Sequence, residues 1–214
     1  CVGQSDAISN CKSNGLSSDG ISSNDYFLGI KYDGTLWAIG YNGYGQLGTS
    51  GGPNLSVLTQ VGSDTDWSKV STGDSHVAAI KSDGSLYMWG FNNYGQLGVG
   101  NTSLYNYPVQ VGTNKNWKDV SCGWNHTLAI TTDGKLWAWG RNTHYQLGKL
   151  NTTNYSSPVQ VGSATNWSAS FAGYLTSFAI NNNADAYGWG YNVGGTGYPL
   201  YQYISVVGAG ASFN

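Results

Sequence analysis

Metal or nucleophilic chemistry in this chain would fall to three histidines, His76, His126 and His144, and three cysteines, Cys1, Cys11 and Cys122. A zinc site would show H-x-x-x-H or C-x-x-C spacing, and neither occurs. His76 and His126 share one repeat column with Tyr26 and Thr176, which reads as a structural histidine at the edge of a buried strand. Cys122 shares a column with Thr72 and Ala172, the pattern of a small buried residue rather than a reactive thiol. Cys1 and Cys11 can pair across a short loop in an oxidising compartment.

The carboxylates are equally uninformative about catalysis. Every acidic residue is Asp. Asp33, Asp83 and Asp133 each precede a glycine, the preferred pair for a two-residue hairpin turn in which both central residues take positive φ. Asp64 and Asp66 are close in sequence and read as solvated loop residues rather than a general acid–base pair. No G-x-S-x-G elbow and no phosphate-cradling G-x-x-x-x-G-K-[ST] string is present. The reading is a non-enzymatic protein with no cofactor and no metal.

What the chain does contain is a sentence repeated every fifty residues. Ile30, Ile80, Ile130 and Ile180 fall in register, as do Gly40, Gly90, Gly140 and Gly190. The long form A-I-x-x-D-G-x-L-W-x-W-G-x-N-x-x-x-Q-L-G runs through Ala129–Gly148. A period in this range signals stacked supersecondary units. Each unit reads as four short strands: Trp117–Ser121, the apolar run His126–Ile130, the return strand Leu136–Gly140, and a strand at Pro158–Gly162. That is one propeller blade. The frame divides the chain into an N-terminal segment, 1–22, able to supply a closing strand, three repeats at 23–72, 73–122 and 123–172, and a degenerate fourth at 173–214. In the fourth, Asn183-Ala184 replaces Asp-Gly, so the turn is expected to be lost, and Val193–Tyr198 replaces the Gln-Leu-Gly ending. The fold expected is an all-β propeller of about four blades, partial or completed by another chain or by further residues. Bulky columns such as Ile39, Trp89, Trp139 and Trp189 should pack between blades against the small column Gly29, Ala79, Ala129 and Ala179.

Composition narrows the partners. Only 9% of residues are charged, the net charge is −2, and Arg141 is the single arginine. Without a basic patch, nucleic acid is not an expected partner. No apolar run approaches the ~20 residues of a transmembrane helix. The chain opens on Cys1 rather than Met, which leaves three readings: a cleaved secretory precursor, a piece of a longer chain, or a lipoprotein anchored through an acylated Cys1.

The string G-x-x-H-x-x-A-I-x-x-D-G-x-L-x-x-W-G-x-N-x-x-G-Q-L-G at Gly73–Gly98, with P-V-Q-V-G at Pro108–Gly112 and Pro158–Gly162, resembles the repeat of the regulator of chromosome condensation family. The likeness covers about residues 24–208. It implies the seven-bladed propeller of that family, of which four repeats are here. It implies function less directly, since the family includes a nucleotide-exchange factor for a small nuclear GTPase, a secreted bacterial inhibitor of β-lactamases, and bacterial and viral proteins. The exchange-factor role does not carry over to a chain that is not basic and has no long inserted hairpin.

Recognition then falls to the variable loop columns. The column after W-G holds Tyr41, Phe91, Arg141 and Tyr191, and three residues on stand Tyr44, Tyr94 and His144, with Tyr145 beside the last. The stretch before the buried run holds Tyr26, Trp124 with Asn125, and Tyr174. Apart from His144, these residues are the candidate binding set, because Tyr, Trp and Arg on rigidly held loops make recognition surfaces. The expected function is a protein-binding or structural module, engaging a protein partner or copies of itself, displayed on a cell surface, in an extracellular assembly or on a virion. Two alternatives stand beside it: a carbohydrate-binding propeller, with aromatic faces stacking on a glycan, and a secreted inhibitor like the β-lactamase inhibitors of the family.

Overall fold

The computed structural model describes residues 25–191 and, as backbone, 200–205. Expectations that fall on Cys1, Cys11, the N-terminal segment 1–22 and Val193–Tyr198 lie outside the described residues. The described part is all strand and turn, in four antiparallel sheets. The first holds β1 (Tyr26–Ile30), β2 (Leu36–Gly40) and β3 (Leu55–Gln60). The second holds β4 (Trp67–Thr72), β5 (His76–Lys81), β6 (Leu86–Gly90) and β7 (Tyr105–Gln110). The third holds β8 (Trp117–Cys122), β9 (His126–Thr131), β10 (Leu136–Gly140) and β11 (Tyr155–Gln160). The fourth holds β12 (Trp167–Ala172), β13 (Thr176–Asn181), β14 (Ala186–Gly190) and β15 (Leu200–Ser205). Each sheet is a meander, and Pro108 and Pro158 sit in the outermost strands, where no further neighbour needs their missing N–H. The frame 73–122 cuts across these sheets, since β8 ends that repeat in sequence but pairs with β9 in the third sheet.

The sheets stand side by side as an open arc: β1 meets β4, β5 meets β8, β9 meets β12, and β4, β8 and β12 are neighbours at the inner edge. Among the described residues the first and fourth sheets do not close on each other. The core is divided accordingly, with one apolar cluster in each of the three joints. Leu28 and Leu36 pack with Trp67, Ala79 and Trp89 in the first joint. Ala78 and Leu86 pack with Val120, Ala129 and Trp139 in the second, and Leu128 and Leu136 with Trp167, Ala179 and Trp189 in the third. The small and bulky columns share a face rather than facing each other: the pairings Val77↔Trp89 and Ala79↔Tyr87 put Ala79 and Trp89 on one side of the second sheet, turned toward Leu28 and Leu36 of the first. The Trp139 indole seats against a loop glycine of the preceding sheet, Gly98, where a Cβ would lie 2.7 Å from its Nε1.

The hairpin turns differ from the expected two-residue type. Gly84 N–H donates to Lys81 O and Lys81 N–H donates to Ser85 O, and only Gly84 has positive φ, at 81°. This is a type I turn followed by a left-handed glycine, a three-residue loop. Asp83 is there for its side chain: Oδ1 accepts the Ser85 N–H at 2.9 Å and the Ser85 hydroxyl at 2.5 Å. The fourth repeat keeps the turn that its sequence was expected to lose. Ala184 takes the left-handed position at φ 65°, and Asn181 Oδ1 accepts the N–H groups of Asn183 and Asp185 in place of the missing aspartate.

Candidate functional site

The residues that vary most between repeats lie at one end of the strands, where β2, β6, β10 and β14 finish and β1, β5, β9 and β13 begin. Their loops are held by groups that do not vary. Asn92 is fully buried; its Oδ1 accepts the Leu97 N–H at 2.9 Å and its Nδ2 donates to the carbonyls of Asn101 and Ser103. Gln96 Oε1 accepts the Tyr94 N–H at 3.0 Å, as Gln46 does for Tyr44 and Gln146 for His144. The Asn and Gln of the repeat are thus loop staples. They fix the backbone from which each variable ring projects, a role their spacing alone did not disclose.

The rings so presented touch one another across the arc. Tyr41 packs edge-on to Tyr44 with centroids 6.4 Å apart, Tyr44 to Phe91 at 5.1 Å, and Phe91 to Tyr94 at 6.3 Å. The Arg141 guanidinium lies 5.1 Å from the Tyr94 ring and 5.3 Å from the Trp124 ring. Trp124 in turn stacks on Tyr174 at 4.2 Å, and His144 meets Tyr191 at 5.1 Å. Tyr174 is the most open of these rings, 62% exposed, with Tyr41, Tyr44 and Tyr191 also exposed. Phe91, Tyr94, Trp124 and Arg141 are half-buried. Beside the Trp124–Tyr174 stack is a recess of about 330 Å³, bordered by Gly73, Asp74, Gly123 and Gly173 at the ends of the inner strands.

Three candidate residues have other positions. Tyr26 is only 5% exposed, and its hydroxyl donates to the Gly73 carbonyl at 2.8 Å and approaches the His76 carbonyl at 3.2 Å, so it bridges the first two sheets rather than meeting a partner. Asn125 is 6% exposed and accepts the Gln96 side-chain N–H across the second joint. Strand alternation turns Tyr26, in β1, inward, while Asn125 stands one residue before β9 and is held by Gln96. Tyr145 is half-buried and keeps, at φ 62°, the left-handed conformation of Gly45 and Gly95.

The titratable groups of the repeat are buried or paired. His76 and His126 are fully buried and hydrogen-bonded across the joints, and burial pushes them down to about 3 and about 4. Burial pushes the Cys122 thiol up to about 12, well short of a thiolate at neutral pH. Asp64 and Asp66 both contact Lys81, at 2.8 and 3.0 Å, and Lys115 and Lys135 pair with Asp83 and Asp133. These pairs sit at the end of the strands opposite the aromatic rings. Among the described residues no group of three His, Cys, Asp or Glu is placed to hold a metal ion, and no helix is long and apolar enough to cross a membrane.

Comparison with known proteins agrees with this architecture. The model of the regulator of chromosome condensation (RCC1) repeat matches residues 33–80, 83–130 and 133–180, and a second model of that repeat matches 67–96 and 117–146. Each of the longer matches begins at the Asp-Gly turn of one sheet and ends in the second strand of the next, so the family's unit spans a joint. A search of curated proteins returns no match. Among solved structures, yeast RCC1 (Prp20) with Kap60 bound is 20% identical with a TM-score of 0.78, over 90% of this chain and 50% of that one. Prp20p from Saccharomyces cerevisiae gives 20% and 0.75 over 86% and 49%. Human WBSCR16 gives 21% and 0.71 over 78% and 45%. These likenesses are of fold, and the chain spans about half the length of each. With three repeats matched over more than half its residues, the chain belongs to the regulator of chromosome condensation repeat family.

Proposed function

We propose that this chain is a non-enzymatic protein-binding module that presents its aromatic end to a partner, displayed outside a cell, on a surface assembly or on a virion. The observation that carries the reading is the run of mutually touching rings from Tyr41 to Tyr174, with the only arginine of the chain placed between Tyr94 and Trp124. Aromatic and arginine side chains dominate binding hot spots, the aromatic ones because they bury much area at little cost in flexibility. Here the loop staples beneath have already ordered them, which reduces what binding must immobilise. Lysine–aspartate pairs at the opposite end leave the aromatic end comparatively free of charge. Protein recognition is also what two solved structures of one similar protein, yeast Prp20, are described for: one has Kap60 bound, and the other is described with its binding to Gsp1p and histones. The shared fold supports the class of partner and does not name it.

Display outside the cell is part of this proposal, and the low charge of the chain supports it. Partner capture with Arg141→Ala and Tyr174→Ala variants tests the binding reading. Both should keep the wild-type melting temperature and lose the captured protein; retained capture would refute the aromatic end as the site. A carbohydrate reading has one supporting observation, the open ring of Tyr174 beside the recess that Asp74 borders. Glycan-array binding abolished by Tyr174→Ala would select it, and inhibition of a β-lactamase would select the inhibitor reading.

A further inference from the structure

The two outermost faces of the arc depart from the repeat together. Inside the arc, each sheet turns one face to the sheet that follows. Ser71 pairs with Ala78 on that face of the second sheet, and Ser121 with Leu128 on the third. Both serines face the next sheet: Ser71 Oγ accepts the Cys122 N–H at 3.0 Å and Ser121 Oγ accepts the Ala172 N–H at 2.9 Å. Leu28, Ala78 and Leu128 are wholly covered. On the fourth sheet the same positions are Phe171 and Phe178, paired in register, 53% and 40% exposed. A sheet whose outer face simply met water would carry polar residues there. This one replaces serine by phenylalanine.

The face at the other end changes in the matching places. The positions that receive a preceding sheet are Val77 and Trp89, Thr127 and Trp139, and Ser177 and Trp189, all essentially covered. On the first sheet they are Phe27 and Ile39, both half-buried. Within the arc, a histidine on one sheet donates to Thr127 or Ser177 of the next, and a tryptophan Nε1–H donates to a glutamine carbonyl of the sheet before it. Thr176 takes the histidine position of the fourth sheet, and Phe27 and Ile39 offer neither a hydroxyl nor an indole. The histidine, serine, hydroxyl and indole groups that make these links at the inner joints are therefore replaced at the described positions of both ends: by Thr176 and Phe171 on the fourth sheet, and by Phe27 and Ile39 on the first. The smaller Gly29 and Ile39 leave room on the first sheet where Phe171 and Phe178 add bulk on the fourth.

We propose that the fourth sheet of one copy docks on the first sheet of a second copy, Phe171 and Phe178 against Phe27, Gly29 and Ile39, and that two copies close head to tail. The contact is heterologous, so it must close as a ring or extend. Two copies of the four-sheet arc reach the upper end of the roughly four-to-eight-blade range in which propellers close.

Mass photometry and light scattering on the full chain across a concentration range test this. The expected mass is that of two copies. Phe171→Ser installs the residue that the two preceding sheets carry, and so should fold. It should weaken the assembly about tenfold or more, as should Phe178→Asp. Tyr32→Ala, at an exposed turn elsewhere, should leave it unchanged. A monomer at every concentration would overturn the proposal, including one whose ends are capped by its own terminal segments or that needs a different protein. A two-copy mass indifferent to both phenylalanine variants would also overturn it.

Discussion

His76 Nε2 lies 3.1 Å from Thr127 Oγ1, a buried hydrogen bond between the second and third sheets. The Thr127 hydroxyl donates onward to the Gln96 carbonyl at 2.9 Å, so it accepts from the imidazole, and His76 carries its proton on Nε2. The same carbonyl accepts the Trp139 Nε1–H at 2.8 Å. His126, Ser177, Gln146 and Trp189 repeat the arrangement at the next joint. At the first joint Val77 has no hydroxyl to offer, and the histidine position holds Tyr26, which reaches the Gly73 carbonyl instead. Replacing Thr127 by Val should therefore strand the imidazole N–H and destabilise the chain by about 1–3 kcal/mol. Chemical denaturation compares the variant with the parent, and an unchanged midpoint would show that the relay contributes nothing.

The same histidines predict a pH dependence. Burial holds them neutral, with His76 near 3 and His126 near 4 against an ordinary 6.5. Below pH 6.5 the unfolded chain takes up protons that the folded chain refuses, so stability falls with falling pH until the folded groups titrate in turn. It should be level above about pH 7 and lower at pH 5 by about 2 kcal/mol per histidine. Urea midpoints at the two pH values measure this, and His126→Thr, the residue of the fourth repeat, should flatten the slope.

Ala184 sits at φ 65°, where the other three repeats have glycine at φ 75–81°. Ala184→Gly should relieve the left-handed strain and raise stability by about 1 kcal/mol. Gly84→Ala should do the reverse, since a Cβ there runs into the Lys115 carbonyl. Thermal melts of the two variants should move in opposite directions.

Trp139 is fully buried, and its Nε1–H is one of two donors to the Gln96 carbonyl. Trp139→Phe keeps the apolar contact, leaves that carbonyl one donor, and should cost about 1–2 kcal/mol, whereas Trp139→Ala also opens a cavity and should cost about 3–5 kcal/mol. Equal losses would mean that the indole N–H is immaterial to the joint.

Much of the fold was legible because the period is strict. The Ile and Gly columns located each strand, and Trp89, Trp139 and Trp189 lie between sheets as their columns implied. The turns were misread because Asp-Gly suits two hairpin types. Which one forms depends on where Lys81 and Ser85 close the ladder, a matter of register. Tyr26 shares its column with the buried His76 and His126, which already pointed inward, whereas Asn125 shares its column with the exposed Asp25, and only the joint shows that Gln96 reaches it.

By itself the sequence determined the architecture. A fifty-residue repetition of apolar columns can be buried only by stacking one unit on the next, and that requirement is local to each joint. Tertiary structure alone decided which residues share a surface. Tyr94, Trp124, Arg141 and Tyr174 come from three different sheets and meet only because the joints set the spacing of the loops. Phe171 and Phe178, spaced like any other residues of a repeat, are exposed because no described sheet follows theirs. Burial depends on what lies beyond a residue as well as on the residue, and in an open arc that differs between identical columns.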